Sequence, residues 1–172
     1  MAISLEVAAG HATVKRSRAE DRFMGLPVVV CIGTENIIGD SLGPCVGALL
    51  KERYGLKAYV YGVPEASITA KNIGGYMDFI ARVHKESAVI AVDACLGNPE
   101  DVGGIRIRRG GVKAGRAAGR NFPAFGDVSV LGVVEQYSRD AIEALLASSP
   151  DNVFDLTDKI AYMVNSALAQ RA

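Results

Sequence analysis

Residues 28–44 read Val-Val-Val-Cys-Ile-Gly-Thr-Glu-Asn-Ile-Ile-Gly-Asp-Ser-Leu-Gly-Pro, and this stretch decides the fold of the chain. Its first five residues are apolar and mostly β-branched, which is typical of a strand buried on both faces, and Gly33 lets the chain turn out of that strand. Apolar residues then recur at helical spacing, so a helix is predicted to start at Asp40 and Ser41. Asp40 therefore lies beyond the carboxyl end of a parallel strand, where ligands and chemistry gather in open α/β sheets.

A second apolar run, residues 88–92, ends at Asp93. Between the two runs the pattern predicts a helix over 41–53, a strand over 57–62 and a helix over 73–84, and the third strand then covers 87–93. Strands that alternate with helices pair in parallel through right-handed crossovers, so both faces of the sheet are covered. In the order 2-1-3 the first and third strands are neighbours. Asp40 and Asp93 are therefore expected to meet at the switch point of the sheet.

The rest of the chain completes this sheet. After a loop over 94–99, alternating Ile and Arg residues predict an edge strand over 104–108, and the last strand covers 128–134 and precedes two helices. We predict an α/β fold, a three-layer α/β/α sandwich with a mostly parallel five-stranded sheet. Residues 27–172 are expected to form this single domain. Residues 1–26, with many charges over 11–22, are expected to form an N-terminal arm that is flexible or folds as a surface helix.

Composition excludes several classes of protein. The chain has 172 residues, of which 49% are hydrophobic and 22% charged, so it is long and apolar enough to bury a core and is not disordered as a whole. Its 19 basic and 19 acidic residues cancel, so no global charge draws it to nucleic acid or to anionic lipid. Three cysteines without CxxC spacing favour a reducing compartment, and no apolar stretch approaches the length of a membrane span. We therefore expect a cytoplasmic protein with no membrane or nucleic-acid partner.

The two aspartates are the main candidates for chemistry. Two carboxyl groups within about 4–6 Å cannot both ionise cheaply, so one keeps a proton and acts as an acid while the other acts as a base on water. The same pair could instead hold a divalent cation, because carboxylates are hard ligands. A structural alternative is that each aspartate only caps a helix or a turn. Spacing alone leaves these three interpretations open.

Other catalytic and binding motifs are missing from the chain. There is no GxSxG nucleophile elbow, and the glycines fit neither GxGxxG nor GxxxxGK[ST]. The cysteines are expected to be small buried hydrophobic residues. Residues 102–126 contain no acid but six cations, and residues 109–120 are rich in Gly and Arg. This basic segment is either a solvated flexible loop or a clamp for an acidic peptide or a phosphate.

Several motifs in order resemble one family. They are Ile32-Gly33-Thr34, then Gly39-Asp40-Ser41-Leu42-Gly43-Pro44, then Val92-Asp93-Ala94-Cys95-Leu96-Gly97, then Gly126-Asp127-Val128-Ser129 with Gly132-Val133-Val134. Together they resemble the YyaC family of sporulation proteins from about Val28 to about Val134, with a weaker match through the final helix.

More distantly, the chain resembles the spore germination protease, whose two functional aspartates fall on Asp40 and Asp93. It also resembles the hydrogenase maturation proteases, which share a phosphorylase/hydrolase-like sandwich and bind metal through two acids and a histidine. Their acids match the same two aspartates, but their histidine falls near Ser129, and this chain has no histidine there. That departure counts against a nickel-sensing maturation enzyme.

Residues and resemblance together predict a sporulation-associated endopeptidase that uses Asp40 and Asp93 to hydrolyse a peptide bond in a spore-related protein. Thr34 and Ser41 are expected to support Asp40. Two glutamates beyond strand ends, Glu65 and Glu135, are expected to line the crevice. No cofactor is expected, although a divalent cation at the two aspartates is not excluded, and a homo-oligomer is left open. The alternatives are a non-catalytic sporulation protein that binds a peptide or regulator and a metal-dependent hydrolase with both aspartates as ligands.

Overall fold

The computed structural model describes residues 4–8, 11–15, 24–113 and 123–169. In this part of the chain the strands are β1 (Ser4–Ala8), β2 (His11–Lys15), β3 (Val28–Cys31), β4 (Tyr59–Tyr61), β5 (Val89–Gly97), β6 (Ile105–Arg109) and β7 (Val128–Gln136). The α-helices described are α1 (Leu42–Glu52), α2 (Ile73–Val83), α3 (Ala141–Ala147) and α4 (Pro150–Ala169).

Five strands form the main sheet, in the order β4-β3-β5-β7-β6. The first four run in parallel, and β6 pairs with β7 in the antiparallel sense at the edge. The order β4-β3-β5 is the predicted 2-1-3 order, so the carboxyl ends of β3 and β5 are neighbours. The predicted α/β fold with a mostly parallel five-stranded sheet is confirmed.

Helices cover both faces of the sheet because alternate strand residues point to opposite faces. On one face, Val29 and Ile90 pack into a core that includes Leu42 of α1, Leu145 of α3 and Ile160 of α4. On the other face, residues of the same two strands pack against α2 in a second core; its members include Val28, Val30, Ala91, Ile73 and Ile80. The result is the predicted three-layer sandwich.

Strand β5 is longer than the sequence pattern predicts. The predicted loop over 94–99 is wrong over its first four residues, since β5 continues to Gly97 alongside β7, which itself ends at Gln136 and not at 134. The register shifts by one residue between Cys95 and Leu96, which marks a β-bulge. Pairing with β7 keeps this polar and glycine-containing stretch extended, and the local sequence could not reveal that partner.

The N-terminal arm also differs from the prediction. Strands β1 and β2 pair in an antiparallel hairpin, so a surface helix is wrong for these residues. The β-branched residues Val7, Thr13 and Val14 favour strand over helix. Within the described helices, none is both long and apolar enough to cross a membrane.

Candidate functional site

Asp40 lies in a single 3-10 turn, Gly39–Ser41, that leads directly into α1. Its Oδ2 accepts a 3.0 Å hydrogen bond from the backbone N–H of Thr34, just beyond β3. The Ncap residue of α1 is Ser41, which makes no side-chain cap bond. The carboxylate of Asp40 therefore closes the loop between β3 and α1 and does not cap the helix.

Two glycines allow this loop to pack against the end of β3. Gly33 has a φ of 137°, and a Cβ atom there would overlap the carbonyl oxygen of Asp40. A Cβ atom at Gly43, in the first turn of α1, would overlap the carbonyl oxygen of Ile32. Backbone can approach backbone this closely only where a side chain is missing. The two glycines therefore hold Asp40 over the end of β3.

Asp93 lies inside β5, one residue beyond Val92, which is the last residue of β5 that pairs with β3. Because β3 has ended at this level, Asp93 lies beside the loop that carries Asp40. Its neighbour two positions back, Ala91, belongs to the core on the α2 face, so Asp93 points to that face as well. The Oδ1 atom of Asp93 accepts a 2.9 Å hydrogen bond from the backbone N–H of Ala94.

The two aspartates, called the aspartate pair below, interact electrostatically. Burial is the main cause that raises the pKa of Asp93 well above its ordinary value, and the negative charge of Asp40 raises that pKa further. Burial also raises the pKa of Asp40, although its hydrogen bond from Thr34 acts in the opposite direction. Both residues keep part of their surface exposed, although burial dominates the environment of each carboxyl group. Such a pair holds one proton and one negative charge over a range of pH.

In each carboxyl group of the aspartate pair, one oxygen accepts a backbone hydrogen bond, and the other accepts none from the described residues. The backbone bonds occupy Oδ2 of Asp40 and Oδ1 of Asp93. For the other two oxygens, no hydrogen bond or ion pair with a described residue is found, and in particular no Lys or Arg neutralises the pair. Within the described part of the chain, these two oxygens are therefore left without a cationic partner.

Of the two predicted supporting residues, Thr34 hydrogen-bonds to Asp40 and Ser41 does not. Thr34 supports Asp40 through its backbone N–H, while its hydroxyl accepts a 3.1 Å hydrogen bond from the side chain of Asn36. The hydroxyl of Ser41 donates to the carbonyl oxygen of Ile38 at 2.7 Å. Ser41 thus stabilises the 3-10 turn and makes no hydrogen bond to Asp40.

The structure does not bring the two predicted glutamates to the pair. Glu65 is exposed in the turn after β4, with no described contact to either aspartate. Glu135 was expected beyond a strand end but lies within β7, where its Oε1 accepts a 2.8 Å hydrogen bond from the backbone of Gln136. Glu135 is four residues beyond Leu131, the partner of Asp93 in the register, and so about 13 Å along the sheet.

A group of residues beside Asp93 was missed as part of the site. Cys95 is half-buried on the same face, and its pKa is raised by burial, lowered by the charge of Arg106 and raised by that of Asp93. Arg106 of β6 hydrogen-bonds to Cys95 and Tyr137 and forms a 2.6 Å ion pair with Asp101. The sequence signal for this cluster was the alternation of Ile and Arg on an edge strand with one wet face.

The donor set does not fit a resident metal ion. Among the described residues, no group of three or more His, Cys, Asp or Glu side chains lies close enough together to hold one. Ser129, near which the resemblance placed the histidine of the maturation proteases, is buried on β7. We therefore derive no step through a metal. Residues 114–122 of the basic segment lie outside the described residues.

The family and the curated relative that this chain matches have no assigned activity. Residues 19–166 match the model of a family described as "Protein of unknown function (DUF1256)". The uncharacterized protein YyaC of Bacillus subtilis (strain 168) is 42% identical over 107 residues, which are 62% of this chain and 52% of YyaC. The chain thus matches about half the length of this curated relative. The resemblance to YyaC is confirmed.

Two solved structures share the fold. The [NiFe] hydrogenase maturation protease HycI from Thermococcus kodakarensis KOD1 superposes with a TM-score of 0.52 at 20% identity, covering 89% of this chain and 99% of HycI. A peptidyl-tRNA hydrolase from Acinetobacter baumannii gives a TM-score of 0.53 at 16% identity, covering 81% of this chain and 85% of the hydrolase. These likenesses confirm a maturation-protease-like fold and carry no activity to this chain. The resemblance to the germination protease stays a prediction.

Proposed function

The chain belongs to the DUF1256 family, and from this premise we propose that it is an aspartate-dependent endopeptidase that hydrolyses a peptide bond in a sporulation-associated protein. The reaction is supported by the aspartate pair and by a fold similar to that of a maturation protease. The spore-related substrate is supported by the resemblance to the YyaC family. The interaction between Asp40 and Asp93 is the single observation that carries the proposal.

The environments of the two aspartates suggest their roles. Asp93 has the more strongly raised pKa, so it holds the shared proton and donates it to the scissile carbonyl oxygen. Asp40 accepts a hydrogen bond from Thr34 that favours its charged form, so it takes a proton from the attacking water. Water oxygen then bonds to the carbonyl carbon. In the collapse of this intermediate the C–N bond breaks, Asp40 passes its proton to the leaving amine, and Asp93 recovers the proton from the carbonyl oxygen.

The test compares wild type with Asp93→Asn and Asp40→Asn in an extract of sporulating cells, with released peptides identified by mass spectrometry. We expect peptides that appear only with wild type, because an amide can neither give nor take the proton. Asp155→Asn is the matched control, since it removes an exposed carboxylate on α4 that pairs with Lys159 far from the site. Equal peptide release by wild type and both Asn variants of the pair would remove the peptidase proposal.

Two other functions can be distinguished from the peptidase, one by the same extract and one by a calorimetric titration. A non-catalytic peptide-binding protein would retain a protein from the extract without releasing peptides. A metal-dependent hydrolase would give heat in a calorimetric titration with divalent cations, and that heat would disappear in Asp93→Asn. No Lys or Arg among the described residues pairs with the two aspartates, which favours the peptidase over a latent binding form.

A further inference from the structure

Residues of three neighbouring strands line up across the α2 face beside the aspartate pair. In the register, Asp93 of β5 pairs with Leu131 of β7, which pairs with Arg106 of β6. Directly paired residues point to the same face of a sheet. Arg108, two positions along β6, therefore points to this face as well. The acid at the centre of the sheet and the two arginines at its edge share one surface.

Arg106 is held in a fixed position. Its Nη2 lies 2.6 Å from Oδ2 of Asp101, and it also hydrogen-bonds to Tyr137 and to the sulfur of Cys95. The guanidinium lies over the end of β5, because its Nη2 is 3.1 Å from the position that a Cβ atom of Gly97 would occupy. A guanidinium has five N–H donors, so these contacts leave donors available, and the side chain is 25% exposed.

Arg108 supplies a second cation that is less constrained. Its side chain is exposed, and none of the described residues forms a hydrogen bond or an ion pair with it. Its charge reaches the site nevertheless, since it lowers the pKa of Cys95. Two guanidinium groups that are two residues apart on one face of β6 can both donate to a carboxylate, which accepts hydrogen bonds from guanidinium forks.

The spacing along β5 relates these cations to the scissile bond. Cys95 is two residues beyond Asp93 on the same face, about 7 Å away, and it contacts Arg106. An extended peptide advances by about the same distance in two residues. A substrate residue about two positions from the scissile bond would therefore meet the guanidinium of Arg106. Arg108 is level with Ala91 through Ser129, so it acts at this place only through its long side chain, as its effect on the pKa of Cys95 indicates. An acidic side chain there would also offset the repulsion between the substrate and the negatively charged pair.

We propose that Arg106 and Arg108 form a subsite that binds an acidic side chain of the substrate peptide about two residues from the scissile bond. The substrate class is thus a protein with Asp or Glu near its cleavage site. This inference rests on the proposed peptidase activity, because only that activity defines a scissile bond.

Binding is measured in the Asp93→Asn background, so that it does not depend on cleavage. The probes are fluorescent, N-acetylated and C-amidated nonapeptides of Ala, Gly and Ser that carry either two Glu or two Gln residues. We expect the Glu peptide to bind roughly tenfold or more tightly, as charge-assisted hydrogen bonds are the strong ones. Arg108→Gln and Arg106→Lys should each remove most of this preference. Arg82→Gln, at the exposed end of α2, is the matched control and should leave it unchanged.

The outcomes separate this inference from the peptidase proposal. Equal affinity for the Glu and Gln peptides, or no binding of either up to millimolar concentration, overturns the subsite even if the wild type cleaves proteins in the extract. A 5′-phosphorylated RNA octamer that binds more tightly than the Glu peptide through the same arginines overturns it in favour of a nucleic-acid site. Arginine-dependent preference for Glu without any cleavage rejects the peptidase and overturns the subsite as defined by a scissile bond, in favour of a site that only binds acidic peptides. Because Arg108 makes no hydrogen bond or ion pair with the residues that the structure describes, Arg108→Gln tests the site without removing a described contact of the fold.

Discussion

A carboxyl group in the middle of a β-strand is costly to ionise, and Asp93 is in that position with a second acid beside it. Burial and the charge of Asp40 act on its pKa in the same direction. The sequence could reveal both aspartates, because each follows a run of apolar residues. It could not reveal the order of the two pKa values, which depends on Asp93 lying inside a paired strand and on Thr34 donating to Asp40.

The two causes of the raised pKa of Asp93 can be separated by substitution. In Asp40→Asn the pKa of Asp93 should fall, because the neighbouring charge is removed, yet it should stay above its ordinary value, because burial is the larger cause and is unchanged. The measurement is a pH titration of the carboxyl ¹³C shift of Asp93. Ser41→Ala is the control: it alters a neighbour of Asp40 without removing charge and should leave the titration in place. A pKa of Asp93 that does not respond to Asp40→Asn would mean that the two acids are independent.

Among the supporting residues, those that sequence reasoning chose by side-chain type were mostly misplaced. Thr34 supports Asp40 by a backbone N–H that any residue other than proline could provide. Glu135 was chosen because it follows an apolar strand, but β7 continues past it. Arg106 and Tyr137 belong beside the site although they are distant in sequence. Their positions depend on the antiparallel pairing of β6 with β7, which is a tertiary contact.

At the scale of elements, the junction of β3 and α1 determines where Asp40 lies. Its glycines were visible in the sequence as part of a motif. What the motif alone could not show is that a Cβ atom at Gly43 would overlap the carbonyl oxygen of Ile32. The helix prediction over 41–53 agrees with α1 because apolar spacing specifies a helix locally. The length of β5 was missed because strand pairing is not local.

The close approach at Gly43 gives a test of this junction. Gly43→Ala should push the first turn of α1 away from β3, lower the free energy of unfolding by about 1–3 kcal/mol and reduce activity through displacement of Asp40. Thermal unfolding and the peptide-release assay measure the two effects. Gly75→Ala in α2 is the matched control, because a Cβ atom there meets nothing within 4 Å. That control should stabilise the protein by about 0.5–1 kcal/mol. Equal stability of the two variants would contradict the close packing of α1 on β3.

At the scale of the whole molecule, the alternation of strand and helix patterns was sufficient to predict the layers of the sandwich. It allowed both common doubly wound orders, 2-1-3 and 3-2-1, so the expected meeting of Asp40 and Asp93 depended on the choice of 2-1-3, which the structure has. The hairpin of β1 and β2 was not predicted, because the charged residues from Lys15 to Arg22 determined the interpretation of the whole arm. Long-range order in the sheet was thus more predictable than the path of the terminal arm.

The aspartate pair should also affect the stability of the entire fold as a function of pH. Both folded-state pKa values lie above those of an unfolded chain, so between the two sets of values the folded protein binds more protons than the unfolded one. Stability contributed by the protonated pair is therefore complete below an ordinary aspartate pKa of about 3.9 and is lost as pH rises through the raised values. An asparagine does not ionise, so a variant with asparagine in place of one of these aspartates does not lose stability in this way as the pH rises.

Asp93→Asn should consequently differ little from wild type in Tm near the ordinary aspartate pKa and become more stable than wild type as the pH rises toward neutrality. We expect a gain of about 1 kcal/mol at neutral pH, or roughly 2–4 °C for a chain of this size, measured by thermal unfolding across the pH range. The same substitution should abolish peptide release, since the group that destabilises the fold is the one that holds the reactive proton. A Tm offset that is constant with pH would show that Asp93 is not held protonated in the folded protein, and the acid role assigned to it would then fail.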